Sequence, residues 1–218
     1  MNYLFRQNDL LAIFLLMERG RHIVNSPKYF MAFNSTITKY LILIIGLIFL
    51  ICNVFGNTSI LFKNSFNYNA IVFGKEVWRM VTHIFFHGSL VHILSNTFGL
   101  VEIVDEEEND MATYLKKTFF FAVLNPLYEL VIIALFRLTI DPYFQYFTVS
   151  IGYSGILYAF MTYKFIYLYG FKYDTMRALA MNLILPSLLM NNVSLLGHFV
   201  GILSGATYLL LEKYRIIL

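Results

Sequence analysis

The sequence predicts an all-α, polytopic membrane protein: a bundle of six membrane-spanning helices with both termini on the cytosolic side. Three observations carry this expectation. The 218 residues are 59% hydrophobic and only 13% charged, whereas soluble domains are about 45–50% apolar and about 25% charged. The mean hydropathy is +0.67. Apolar runs of near-spanning length recur along the chain, separated by shorter polar or charged stretches.

The first 38 residues read as a cytosolic N-terminal segment. Its one oily patch, "LLAIFLLM" at 10–17, lies between Asp9 and Glu18. Eight helical residues cover about 12 Å, too short to cross a bilayer, so a surface-lying or core-capping helix is expected. Residues 39–214 form the six-helix domain. The first span is "KYLILIIGLIFLICNVF", 39–55. A mixed segment at 56–86 is too long for a simple turn. The second span covers 87–104 and ends before "DEEEND", an acidic run expected to be a solvated loop. The third covers 115–137 and is interrupted by Pro126 and Glu129. Asp141-Pro142 leads to the fourth, 151–169. The fifth, 175–191, contains Pro186, which should bend it. The sixth covers 194–212, and with no seventh span expected after it the plan is the minimal six-helix form.

Six spans put both termini on one side, and the positive-inside rule selects that side. Twelve of the 16 basic residues fall with the termini: Arg6, Arg19, Arg21, Lys28, Lys39, Lys116, Lys117, Lys164, Lys172, Arg177, Lys213 and Arg215. The other four, Lys63, Lys75, Arg79 and Arg137, fall opposite. The net charge of +3 is too small to argue for a nucleic-acid partner. The single cysteine, Cys52, excludes an internal disulfide or a multi-cysteine zinc site and reads as a buried thiol.

Polar residues inside membrane spans are costly and usually face a cavity or one another. Three spans carry them at one depth, near the end away from the termini: His87, His92 and Asn96 in the second, Ser154 in the fourth, His198 in the sixth. Ser154 and Tyr158 share a helical face, as do His198, Gly201 and Gly205. Gly201 and Gly205 form a small-xxx-small pair, and Gly152 and Gly155 flank the serine, so the two faces can approach closely. A serine nucleophile needs a base, for which histidine is the usual choice. His92 and Asn96, again one turn apart, can aim donors at a developing oxyanion. Each feature alone has a plainer reading: a helix hydroxyl bonded to its own backbone, a packing histidine, an ordinary helix contact. The three histidines of "HIFFHGSLVH" suggest a metal, but the glutamate of a zincin helix is missing and no carboxylate or cysteine completes a set. Neither metal nor cofactor is expected.

In order along 75–212, "WRMVTHIFFHGSLVHILSN" (78–96), "GYSG" (152–155) and "GHFVGILSG" (197–205) resemble the rhomboid family of intramembrane serine proteases. The resemblance implies a Ser154–His198 dyad with no acidic third member, with Tyr158 packed on the His198 ring. It assigns Asn96, His92 and the Ser154 N–H to an oxyanion hole and His87 to the water-access side. Trp78 and Arg79 would anchor a membrane-lying first loop. The implied activity is an endopeptidase cutting in or near the transmembrane helix of single-pass membrane proteins, which enter sideways from the lipid bilayer. The alternative within the family is a non-proteolytic, derlin-like protein that binds or routes membrane clients; a small transporter or channel would need a polar path through the whole bilayer. No role suggests itself for Glu129 or Arg137. The N-terminus lacks the Arg- and Ser-rich composition of a transit peptide. Sequons at Asn34, Asn57 and Asn192 leave a secretory-pathway or plasma membrane favoured over a mitochondrial one.

Overall fold

The computed structural model of the protein describes residues 27–189 and 194–217. The oily patch at 10–17 and the sequon at Asn192 lie outside them. The chain is an α-helical bundle in which the only sheet among the described residues is a pair of two-residue strands.

A short helix, α1 (Pro27–Asn34), leads into α2 (Ile37–Phe49), whose last turn widens into a π-helical turn at Leu50–Val54. The segment between the first two spans is folded rather than loose. It holds α3 (Thr58–Asn64), β1 (Phe66–Asn67), α4 (Tyr68–Val72) and α5 (Arg79–Thr82), the last running into a 3-10 turn at His83–Phe85. After a sharp bend come α6 (Leu90–Glu102), α7 (Val104–Asn109) and α8 (Met111–Thr139). Then follow α9 (Phe144–Phe147), β2 (Val149–Ser150), α10 (Ser154–Tyr169), α11 (Tyr173–Leu189) and α12 (Leu195–Lys213). β1 and β2 pair antiparallel, Phe66 with Ser150 and Asn67 with Val149.

Among the described residues, Ile37–Val54, Met111–Thr139 and Leu195–Lys213 are each long and apolar enough to cross a membrane. The pair Arg79–Phe85 and Leu90–Glu102, bent by 92°, makes a fourth if taken as one broken span. The remaining expected spans, α10 and α11, have 16 and 17 residues, about 24–26 Å of helix against a hydrocarbon core of about 30 Å. α10 is short because its first residue lies inside the bundle. Ile156, Ala159, Phe160 and Thr162 on its successive faces are all buried, as expected of a central helix. Phe121 meets both Phe160 and Tyr208 edge-to-face.

Four expectations need correction. The fourth span does not start at 151: α10 begins at Ser154. The second span does not start at His87. Ser89 caps α6, its Oγ accepting from the His92 N–H at 3.2 Å, and His87 sits in the bend before it. The third span is not interrupted: α8 runs through Pro126 and Glu129 for 29 residues, because loss of one N–H to proline is tolerable where neighbouring helices pack around it.

The acidic run is not a solvated loop. It forms α7, and its carboxylates bind the neighbouring helices. Buried Glu107 accepts from the N–H groups of Ile37 and Thr38 at 2.7 and 2.8 Å and from Thr38 Oγ1 at 2.7 Å. It thereby caps α2, whose own Thr36 supplies no side-chain cap. Asp105 receives Lys164 at 2.6 Å and Lys28 at 3.4 Å, and Glu106 receives Lys117 at 3.1 Å. Partial burial raises the acidity threshold of the Asp105 carboxyl, but Lys164 and Lys28 outweigh it and hold the group below its usual value. Lys117 also lies 3.8 Å from the centre of the Tyr163 ring, whose hydroxyl donates to Glu212 at 2.9 Å. Glu107→Ala is expected to destabilise the protein by about 2 kcal/mol, since it removes charge-assisted bonds to two buried helix N–H groups. Thermal unfolding in detergent checks this, with Glu107→Gln expected to lose less.

Candidate active site

The serine turn is fixed on several sides before α10 begins. Ser150 is held in the strand pair with Phe66, and the Gly152 N–H donates to the His83 carbonyl at 2.9 Å. His83 in turn lies edge-on to Phe66, with its Nδ1 2.8 Å from the Arg79 carbonyl. Gly152 takes φ +110°, and a Cβ there would stand 2.6 Å from His92 Nε2. Both conditions require glycine. Ser154 follows as the first residue of α10, so its N–H belongs to the unpaired donors of a helix N-terminus.

On the facing helix, Ser194 caps α12 through its Oγ, which accepts from the Gly197 N–H at 3.0 Å. His198 comes one turn in and is buried. The approach of α12 to α10 depends on glycine. A Cβ on Gly201 would collide with the Gly155 carbonyl oxygen, and one on Gly205 with that of Ala159. A Cβ on Gly155 would stand 3.2 Å from the Gly197 carbonyl oxygen. Backbone thus packs on backbone along the whole contact.

This contact brings Ser154 Oγ and His198 Nε2 to 3.1 Å, hydrogen-bond distance. The Tyr158 ring stacks on the imidazole, with centroids 4.1 Å apart and planes 22° apart. His198 Nδ1 is buried and has no hydrogen-bond partner among the described residues. Four of the sequence-derived residues, Ser154, His198, Tyr158 and Gly201, therefore meet in one place.

The second span contributes less directly. The His92 ring faces the Gly152 turn and meets His87 edge-on at 4.8 Å. Asn96 is buried, but its Nδ2 donates back to the His92 carbonyl at 2.8 Å and its Oδ1 has no partner. His87 is itself buried, and its carbonyl accepts from Asn53 Nδ2 at 2.9 Å. Arg79 is a true anchor of the first loop: its guanidinium donates to the Phe62 and Ser65 carbonyls at 2.7 and 3.0 Å and pairs with Glu76. Trp78 is half-exposed, a placement suited to the interfacial region of a bilayer rather than to the protein core.

Two residues without a sequence-derived role also line the serine cavity, Asn125 and Glu129 of α8. Ser150 Oγ donates to Glu129 Oε1 at 2.8 Å. The signal in the sequence was the cost of a carboxyl inside a span, which asks for a partner, but nothing in the spacing pointed to Ser150.

The family model described as a rhomboid domain matches residues 74–215. Rhomboid-like protein 15 of Arabidopsis thaliana is 34% identical over 187 residues, which is 79% of this chain and 45% of that protein. The chain thus spans less than half the length of that relative.

Proposed function

The chain belongs to the rhomboid family, and from that premise we propose that it is an intramembrane serine endopeptidase. The observation that carries the reading is the 3.1 Å approach of Ser154 Oγ to His198 Nε2 under a stacked tyrosine ring. A non-proteolytic client-binding role would leave that arrangement without a purpose.

In the proposed reaction, the Ser154 hydroxyl gives its proton to His198 Nε2 while Oγ bonds to the scissile carbonyl carbon. The carbonyl oxygen becomes an oxyanion near the N-terminus of α10, where the Ser154 N–H and the positive end of the helix dipole stabilise it. His92, turned toward the same turn, and Asn96, after rotating away from its own helix, supply further donors. The intermediate collapses when His198 returns the proton to the leaving amine. Water then attacks the acyl-enzyme, passes its proton to His198 and releases the carboxylic product, restoring Ser154. The dyad dispenses with a third carboxylate because an isolated buried charge in a low-dielectric site is costly, and Tyr158 orients the imidazole without one. Tyr158→Ala should lower kcat roughly two- to tenfold, the loss of about 0.5–1.5 kcal/mol of ring stacking; steady-state kinetics check this.

The substrates we propose are single-pass membrane proteins that reach the site laterally from the bilayer. A helical peptide bond is protected until its carbonyl is freed, so segments weakened by glycine or proline are favoured. The cluster of Lys28, Lys117 and Lys164 marks the cytosolic end, and Ser154, about 15 Å from Lys164 along α10, the opposite one. The membrane we propose is one of the secretory pathway or the cell surface, since the N-terminus lacks the composition of a transit peptide. The test is cleavage of a model single-pass substrate by the protein in proteoliposomes, with product masses locating the cut. Cleavage within or beside the transmembrane helix is expected; cleavage only in distant soluble loops, or none, would contradict the reading.

A further inference from the structure

We infer that Glu129 is a positioning residue for the serine turn, acting through the Ser150 hydroxyl. The catalytic half of this inference rests on the protease reading above; the structural half does not.

Glu129 is 2% exposed, in the middle of the membrane-spanning helix α8. A carboxyl at that depth is costly unless it has a partner, and its hydrogen-bond partner is Ser150 Oγ at 2.8 Å. Ser150 stands four residues ahead of Ser154 and ends β2. Its backbone is tied to the first loop through Phe66, while its side chain is tied to α8 through Glu129. Gly152, midway between the two serines, is bound to His83. The five residues 150–154 are therefore held from three directions. Of these, only the Glu129 contact is made through side chains; the other two are backbone bonds.

The same cavity joins the clamp to the nucleophile. Glu129, Asn125, Ser150, Gly152 and Ser154 line one small cavity of about 20 Å³. Asn125 lies one turn before Glu129 on the same face of α8. It is 5% exposed, and its Oδ1 is buried without a partner. Its Nδ2 would stand 3.0 Å from a Cβ on Gly155, next to the nucleophile. The polar side of α8 is thus pressed against the underside of the serine turn. Because the Ser154 N–H direction is set by the backbone of this turn, the clamp acts on the oxyanion donor as well as on Oγ. Displacements of about 1 Å at a reacting centre cost on the order of a hundredfold in rate.

The test uses the full chain with Glu129→Ala, Glu129→Gln, Ser150→Ala and the Glu129→Ala/Ser150→Ala double variant, in detergent and in proteoliposomes. Glutamine keeps an acceptor oxygen for Ser150 and adds a donor on the cavity side, where Asn125 Oδ1 lies, so it should rescue. The first readout is amide hydrogen exchange across residues 149–155. It should quicken in Glu129→Ala and Ser150→Ala and remain near wild type in Glu129→Gln. The second is kinetics on the model substrate. In Glu129→Ala and Ser150→Ala kcat should fall about 10- to 100-fold with KM within about twofold, and the double variant should be no slower than the slower single one.

Unchanged exchange in the alanine variants overturns the clamp, whether or not the protein cleaves anything. Loosened exchange with unchanged kcat overturns its positioning role. A wild-type protein without Ser154-dependent cleavage sinks the protease reading instead, and the exchange result then decides the clamp alone. Should Glu129→Ala fail to fold, Ser150→Ala removes the same bond with a single-atom change and carries both readouts.

Discussion

Ser154→Ala should reduce cleavage of a model transmembrane substrate to the background rate, and His198→Ala should lower kcat by about 10²–10⁴-fold or more. The two effects differ in kind. Without Ser154 Oγ no acyl-enzyme forms, so the covalent route is lost altogether. Without His198 the hydroxyl remains, but its proton has no acceptor at 3.1 Å, and a neutral hydroxyl is a weak nucleophile. Since both act in one step, the double variant should be hardly slower than the worse single one. Neither substitution touches the glycine positions of the α10–α12 contact, so Ser154→Ala should melt close to wild type, whereas His198→Ala also loses the ring stacked on Tyr158 and should melt a few degrees lower. Steady-state kinetics with matched unfolding curves check this; substantial cleavage by Ser154→Ala would remove the serine from the chemistry.

Gly201→Val is expected to damage fold and activity together. An added Cβ at 201 collides with the Gly155 carbonyl oxygen and stands 2.9 Å from Tyr158 Cβ. The first of these is backbone, so the helices themselves must part. Overpacking of this kind costs about 1–3 kcal/mol, and any separation lengthens the Ser154–His198 approach that the contact sets. Activity should fall by about a hundredfold or more beyond what the loss of folded protein explains. Gly46→Ala is the control. Gly46 lies inside α2, and a Cβ there meets nothing within 4 Å. That change should leave cleavage unaltered and raise stability by up to about 1 kcal/mol, since alanine favours the helix. Equal damage from both would mean that the Gly201 effect is a general helix effect rather than one of close approach.

What the sequence made legible follows from periodicity and hydropathy. The helical membrane-bundle character, the shared face of Ser154 and Tyr158, and the glycine seam from Gly201 to Gly205 are local regularities, repeated every three or four residues. What it concealed depends on partners far apart in the chain. Glu107 caps a helix some 70 positions earlier, so "DEEEND" looked like solvated charge when three of its carboxylates bind neighbouring helices. Glu129 meets Ser150 21 positions later, beyond the reach of any helical period. The start of α10 was misjudged for a different reason. Ile151 is apolar and extends the run, but the positive φ of Gly152 delays the helix to Ser154 itself. That delay places Ser154 at a helix N-terminus, among the N–H donors that the helix itself leaves unpaired.

The bend before α6 shows the same limit. The second span is expected to begin at His87, yet the Ser89 cap and the 92° break put His87 in the bend ahead of α6. The consequence is functional: His87 is turned inward against His92, instead of continuing up the helix toward solvent. His92 is thereby steadied beside Gly152, where a developing oxyanion would need a donor.

The claim that Ser154 and His198 work as one unit is tested most directly by intact-mass measurement after reaction with a fluorophosphonate, which is attacked by an activated serine. The purified wild-type protein should gain a single adduct, mapped to Ser154, and the gain should vanish in Ser154→Ala and slow by at least about a hundredfold in His198→Ala. Labelling at another residue, or labelling of Ser154 that proceeds equally fast without His198, would contradict the account.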